Sequence, residues 1–256
     1  MSTAPVLYIS HGSPMRVIER SPARDFLVDL GQSISNIKGI VVISPHWETQ
    51  GVYYSTSKHP ETIHDFYGFS KALYQQQYSV ASPQWLQMAL QECLSVQNIR
   101  LRGVDRGLDH GAWSVLKLMY PSGDIPVAAL SLPINHSLET LYQLGVALKE
   151  LREQGIMIVT TGLATHNLSE LARLGEPQYW AVEFIDWLQQ KVQEKNMDAL
   201  FNYRSQAPFA EKSHPTDEHL MPLYIALGAA GEQDTQLIHQ SWELRNANNS
   251  SWAWGL

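Results

Sequence analysis

Short apolar runs alternate along the chain with longer segments that have helical periodicity. Residues 6–10, 40–44, 125–132 and 156–161 have the length and composition of strands, and the runs Val-Val-Ile and Ile-Met-Ile-Val show no polar alternation. Unbroken apolar runs are typical of strands that are covered on both faces. Strands that alternate with helices predict an α/β fold, in which helices flank a largely parallel central sheet.

The predicted helices fall between these strands. Residues 138–152 carry apolar side chains at 138, 141, 144, 148 and 151 and end before Gly155, a typical helix stop. Similar patterns cover residues 26–34, 85–94, 112–120 and 180–192, whereas the segment from 45 to Phe69 is expected to be irregular. Trp252 and Trp254 suggest that the tail packs back onto the body. With no repeat or low-complexity linker, residues 1–256 are predicted to form one domain.

Composition narrows the class of protein. The chain has 256 residues with 44% hydrophobic content, enough for a single large core. Its net charge is −7 and its 18 basic residues are scattered, which argues against a nucleic-acid or anionic membrane partner and favours a small molecule. The single cysteine, Cys93, allows no internal disulfide and is expected to be a buried, inert thiol. No apolar run is long enough to span a bilayer, so a cytoplasmic location is expected.

Candidate chemistry lies in the histidines at the strand ends. His11, His46 and His166 each follow a predicted strand, at the edge where open α/β sheets carry their active sites. His219 stands in an acidic segment in which Thr216 is expected to cap a helix, with Glu218 and His219 in its first turn. Neutral imidazole is a common metal ligand, so we expect these four side chains to converge on one ion.

The remaining histidines differ in context. His110 follows Asp109, a predicted helix cap, and is expected to face the cleft. His64 belongs to an aromatic loop that is either a lid over an aromatic substrate or a hydrophobic plug, and Trp47 forms an aromatic wall beside His46 or seals the sheet end. Three other histidines are assigned no function: His59 is expected to be exposed in a polar turn, His136 is expected to be exposed or at a helix cap, and His239 lies in an apolar-polar stretch near the end.

At these residues the chain resembles the class III, or LigB-type, extradiol ring-cleavage dioxygenases, in particular the DOPA 4,5-dioxygenase-like group. Six segments in family order carry the resemblance over residues 11–223: HGSPM from His11, SPHW around His46, IHDFYGF around His64, GLDHGAWSVL around His110, THNL around His166 and HPTDEH from His214 to His219. Each segment alone is weak, but six in register are specific.

The resemblance implies a mononuclear metal near the carboxyl ends of the strands. It implies ligation by His11, His46 and His219, with His166 as a fourth ligand or as the acid/base. His110 is the second acid/base candidate, and His64, His214 and Trp47 are assigned to the substrate.

Two positions depart from the family pattern. LigB-type enzymes take a carboxylate ligand from glutamate, whereas the motif here presents His219. On a helix Glu218 would project elsewhere, since neighbouring residues lie about 100° apart. Arg106 stands where family members commonly have an aromatic residue before the Gly-Leu-Asp-His segment.

The implied reaction is ring cleavage of a catechol, DOPA-like and in the 4,5 position, with O2 to a ring-opened semialdehyde. Fe(II) is expected, because Zn is redox-inert, although Zn is the alternative bound metal. Two other interpretations are a zinc-dependent hydrolase or amidase that uses the same histidines, and a non-catalytic metal-binding protein. A monomer or small homo-oligomer is expected.

Overall fold

The computed structural model describes residues 3–256, and an eight-stranded sheet forms its centre. The strands are β1 Val6–Ser10, β2 Gly39–Thr49, β3 Val52–Ser55, β4 Leu101–Val104, β5 Val127–Pro133, β6 Ile156–Gly162, β7 Thr235–His239, β8 Trp242–Glu243, β9 Ala247–Asn248 and β10 Ser251–Trp254. All but β8 and β9 belong to the large sheet, in the order β4-β3-β5-β2-β6-β1-β10-β7.

Helices connect and cover these strands. They are α1 Pro22–Ser33, α2 Lys71–Tyr74, α3 Gln84–Val96, α4 His110–Met119, α5 Leu138–Glu153, α6 Tyr179–Gln193, α7 Met197–Phe201, α8 Tyr203–Gln206, α9 Ala210–Ser213 and α10 Met221–Ala230, with 3-10 turns at Pro14–Val17 and Leu168–Glu170. Within the described residues, no helix is both long and apolar enough to cross a bilayer.

The central strands β5, β2, β6 and β1 are mutually parallel, as the sequence predicts. Along β1, Val6 and Tyr8 point into one core and Leu7 and Ile9 into the other. The first core is closed by α3, α5, α6 and α10, and the second by α1 and α4. Burial on both faces therefore explains the unbroken apolar runs.

The edges of the sheet were less evident from sequence. The segment after β2 was expected to be irregular, yet it contains β3, which pairs antiparallel with β5 and parallel with β4. The expected docking of the tail is confirmed, because β10 pairs antiparallel with β1 and Trp252 and Trp254 are each 1% exposed. Cys93 is buried as expected, and its Sγ donates to the Ala147 carbonyl at 2.8 Å.

Helices α5 and α10 approach each other through glycines. A Cβ on Gly145 would lie 2.0 Å from the Ile225 carbonyl oxygen, and a Cβ on Gly228 would lie 2.0 Å from the Tyr142 carbonyl oxygen. Because backbone atoms oppose both positions, neither helix accepts a side chain there without moving. This contact holds α10, and with it the turn that precedes α10, against the sheet.

Gly145→Val should lower the free energy of unfolding by about 3 kcal/mol, because a side chain inserted at a backbone contact forces the two helices apart. Val146, on the exposed side of the same helix, gives the control: Val146→Ala should change stability by no more than about 0.5 kcal/mol. Urea denaturation measures both. Equal stability of the two variants would contradict the close crossing of α5 and α10.

Candidate metal centre

His11 and His46 meet because the strands that carry them both border β6. Strand β6 lies between β1 and β2, so the residues that follow their carboxyl ends share one edge of the sheet. His11 comes directly after β1, and its backbone N–H donates to the Gly162 carbonyl at 2.9 Å. His46 lies within the irregular end of β2, where the register with β5 shifts between Ile43 and Glu48. The Nε2 atoms of His11 and His46 are 3.3 Å apart.

His219 reaches this edge from the turn before α10. Its carbonyl oxygen accepts hydrogen bonds from the Tyr8 hydroxyl and the Leu163 N–H, each at 3.1 Å. A Cβ on Gly162 would lie 2.2 Å from the same oxygen, so this close approach requires glycine. The His219 ring lies with its centroid 5.4 Å from that of His11 and 5.1 Å from that of His46.

The predicted helix start at Thr216 is wrong. Residues 215–220 form bends and turns, and α10 begins only at Met221. Asp217 braces this turn, because its carboxylate accepts from the Tyr203 hydroxyl at 2.6 Å and pairs with Arg204. Glu218 was expected to project away from His219, as it would on a helix. That expectation is also wrong, because Glu218 Oε1 lies 2.8 Å from His219 Nδ1.

Two of the imidazoles are oriented by an acceptor at Nδ1, and a carboxylate lies near that atom of a third. The Nδ1 atom of His11 is 2.9 Å from the Gly12 carbonyl oxygen, that of His219 is 2.8 Å from Glu218 Oε1, and that of His46 is 3.6 Å from Asp65 Oδ2. An acceptor at Nδ1 favours the tautomer with its proton there and leaves the Nε2 lone pair free.

The free Nε2 atoms fit a metal ion. His219 Nε2 is buried and has no hydrogen-bond partner within residues 3–256, an arrangement that costs free energy unless another group binds there. The 3.3 Å between His11 Nε2 and His46 Nε2 is close to the roughly 3.4 Å expected for two ligands at about 2.1 Å from one tetrahedral ion. The donor set thus suits a divalent transition metal.

Burial keeps these imidazoles neutral. It lowers the pKa of His46 to about 3, with further lowering by His110 and partial compensation by Asp65. Burial likewise lowers the pKa values of His11 and His219 well below their usual range, and neighbouring histidines add to the effect. Neutral imidazole is the form that ligates a metal, so the site needs no deprotonation at neutral pH.

His110 belongs to the same cluster. Asp109 caps α4 as predicted, accepting from the Ala112 N–H at 3.2 Å, and this brings the His110 ring centroid within 4.0 Å of that of His46. Asp65 Oδ1 accepts the His110 backbone N–H at 2.8 Å and lies 3.1 Å from its Nδ1. His11, His46 and His110 form one group whose ligand atoms all lie within 4.8 Å of one another.

His166 lies on the other side of the cluster. Its ring stacks on that of His219, with the centroids 3.5 Å apart and the planes at 14°, and its Nδ1 is 3.7 Å from Glu218 Oε1. His166, Glu218 and His219 form a second group with ligand atoms within 4.8 Å of one another. Burial lowers the pKa of His166, while Glu218 acts in the opposite direction.

The three side chains that were assigned to the substrate are not members of the two histidine groups described above. His214 is fully buried and its Nε2 bonds to the Ala164 carbonyl oxygen at 2.9 Å, so the structure does not bring it into the cleft. Trp47 is 7% exposed, with the Arg106 guanidinium 5.2 Å above its ring. His64 is half-buried, and its ring centroid lies within 6.0 Å of the ring centroids of Phe66, Tyr74 and Trp113.

Two carboxylates and one guanidinium near the cluster were not predicted from sequence. Asp65 and Glu218 stand next to motif histidines, which is the one signal that would have indicated them. Arg106 donates to the His46 carbonyl oxygen at 3.2 Å and so supports a candidate ligand through its backbone. His59 and His136 are exposed as expected, and His239 stacks on Phe26.

Comparisons with known proteins identify relatives of this chain. A sequence profile of the family described as "Catalytic LigB subunit of aromatic ring-opening dioxygenase" matches residues 1–254. The "4,5-DOPA dioxygenase extradiol" of Beta vulgaris is 38% identical over 243 residues, covering 92% of this chain and 91% of that protein. The protein of the same description from Escherichia coli (strain K12) is 35% identical, covering 90% and 86%.

A solved structure has the same fold. The crystal structure of an uncharacterized protein from Escherichia coli K12 superposes with a TM-score of 0.81 at 30% sequence identity, covering 98% of this chain and 99% of the other. The similarity therefore extends over the whole sheet and its helices.

Acid should destabilise the metal-free protein through His214. Burial lowers the pKa of His214 to about 3, whereas in the unfolded chain it titrates near 6.5. Between these values only the unfolded state binds the proton, so the free energy of unfolding falls as the pH drops below 6.5. His214→Gln should reduce this slope by up to about 1.4 kcal/mol per pH unit.

Denaturation of chelator-treated protein between pH 4 and pH 7.5 measures the slope. The exposed His136 provides the matched control, and His136→Gln should reproduce the wild-type slope. A slope left unchanged by His214→Gln would show that His214 takes up its proton in the folded state.

Proposed function

The chain belongs to the LigB family of aromatic ring-opening dioxygenases, and from this membership we propose how its histidine cluster works. It is a metal-dependent extradiol dioxygenase that opens an aromatic ring with O2. The observation that carries the assignment to this cluster is the buried Nε2 of His219, which has no hydrogen-bond partner among residues 3–256. Its ring centroid lies 5.4 and 5.1 Å from those of His11 and His46, whose Nε2 atoms are 3.3 Å apart.

His11, His46 and His219 hold the metal through Nε2 in this proposal. The Nδ1 acceptors of His11 and His219 support it, because they leave the Nε2 lone pair available. Bound Fe(II) would supply the redox-active centre at which a catechol and O2 meet, whereas Zn is redox-inert. Three protein ligands leave coordination positions open for a small molecule.

The chain's own residues then bind the catechol and move its protons. His166 accepts a hydroxyl proton at Nε2, the nitrogen that does not face Glu218. His110, on the opposite side of the cluster, is the second candidate for proton transfer. The aromatic loop of residues 63–69 forms one wall of the site, since the Phe66 ring lies 5.7 Å from that of His110. His64 packs against Phe66 and holds this wall in place.

The natural substrate in this proposal is a DOPA-like catechol cleaved in the 4,5 position. The two relatives described as 4,5-DOPA dioxygenases support this class. Protein reconstituted anaerobically with Fe(II) should consume O2 when a catechol is added and form a yellow ring-opened product. Absence of O2 uptake across several catechols would count against the dioxygenase and in favour of a hydrolytic or binding role.

Ligand and acid/base roles are separable by substitution. His11→Ala should abolish metal binding, measured as metal content after dialysis. His166→Ala should keep the metal but lower kcat by about 10²- to 10⁴-fold, the usual worth of a general acid or base. Equal loss of metal in both variants would make His166 a fourth ligand instead.

A further inference from the structure

The Glu218 carboxylate faces the same nitrogen of two stacked rings. Its Oε1 atom is 2.8 Å from His219 Nδ1 and 3.7 Å from His166 Nδ1. The two rings are nearly parallel, at 14°, with their centroids 3.5 Å apart. Glu218 Oε1 therefore lies near both His219, a proposed metal ligand, and His166, the proposed acid/base.

The surroundings make this contact selective for one tautomer. The His219 side chain is 5% exposed, so its two nitrogens have little access to water. A carboxylate accepts hydrogen bonds and does not donate them when ionised, so the Nδ1 of neutral His219 must carry the proton. The Nε2 lone pair is then the free one, and this is the atom that is buried without a partner within residues 3–256.

Asp65 also lies near the Nδ1 atoms of two histidines of the cluster. Its Oδ1 lies 3.1 Å from His110 Nδ1 and its Oδ2 lies 3.6 Å from His46 Nδ1. Burial raises the pKa of Asp65, but its interactions with His110 outweigh burial and lower that pKa to about 2. Each of the two carboxylates thus serves one proposed ligand and one candidate acid/base.

We propose that Glu218 is a positioning residue that fixes His219 in the tautomer presenting Nε2 to the metal and holds the His166 ring against it. The proposal rests on the proposed function for the identity of the ligands. Glu218 acts through the two histidines and does not itself contact the ion.

The first experiment compares Zn(II) affinity by competition with a chromophoric chelator. Glu218→Ala should weaken the affinity by about 10- to 100-fold, the usual effect of removing the partner that orients a ligand histidine. Glu218→Gln should stay near wild type, because the amide oxygen still accepts from Nδ1–H. Rescue by the glutamine variant separates orientation from a general loss of structure.

Glu48 provides the matched control. Burial raises the pKa of Glu48 and the Glu218 charge adds to the effect, but within the described residues Glu48 bonds to no imidazole. Glu48→Ala should therefore bind Zn(II) like the wild type. An unchanged affinity in Glu218→Ala, or equal losses in its Ala and Gln variants, would overturn the proposal. Loss as complete as that of His11→Ala in both Glu218 variants would identify Glu218 as a ligand.

A second measurement does not involve the metal. Long-range ¹H–¹⁵N spectra of the metal-free protein should show His219 protonated at Nδ1 in the wild type and in Glu218→Gln, and a mixture of tautomers in Glu218→Ala. A single Nδ1–H tautomer in Glu218→Ala would contradict the proposal. If the wild type consumes no O2 with any catechol, the dioxygenase assignment fails, while the Zn(II) affinities and the tautomers still decide the role of Glu218.

Discussion

The site depends on the burial of several neutral imidazoles side by side. Each ring has one N–H that needs an acceptor and one lone pair that needs a donor or an ion. The Gly12 carbonyl is the acceptor for His11 and the Glu218 carboxylate is the acceptor for His219, while the Asp65 carboxylate lies 3.1 Å from His110 Nδ1. Since an unpaired buried polar group is costly, a cluster that leaves His219 Nε2 without a partner in the described part of the chain is suited to receive another group.

The sheet supplies the rigidity that this arrangement needs. Parallel neighbours β1, β6 and β2 carry His11, His166 and His46 to one edge, and both faces of these strands are sealed by helices. Arg16 braces the end of β1 from within, because its guanidinium, 3% exposed, bonds to the Ser10 carbonyl, Asn249 and Glu243. The tail thereby stabilises the strand that precedes His11.

Loops bring the two carboxylates of the site to the histidines. The aromatic loop brings Asp65 to His46 and His110, and the turn before α10 brings Glu218 to His219 and His166. Both loops therefore carry an acidic residue into a group of histidines. Each carboxylate lies within 3.7 Å of the Nδ1 atoms of two histidines.

The sequence by itself determined the strands β1 and β6, the main helices and the histidines at the strand ends, because burial on both faces and helical periodicity are local patterns. It also indicated the family, since six motifs stand in register. Only the tertiary structure decided that β6 separates β1 from β2, that Glu218 turns towards His219, and that His214 is enclosed. These outcomes depend on strand order and on a turn held by Tyr8, Gly162 and Asp217, contacts between residues far apart in the chain that no local pattern encodes.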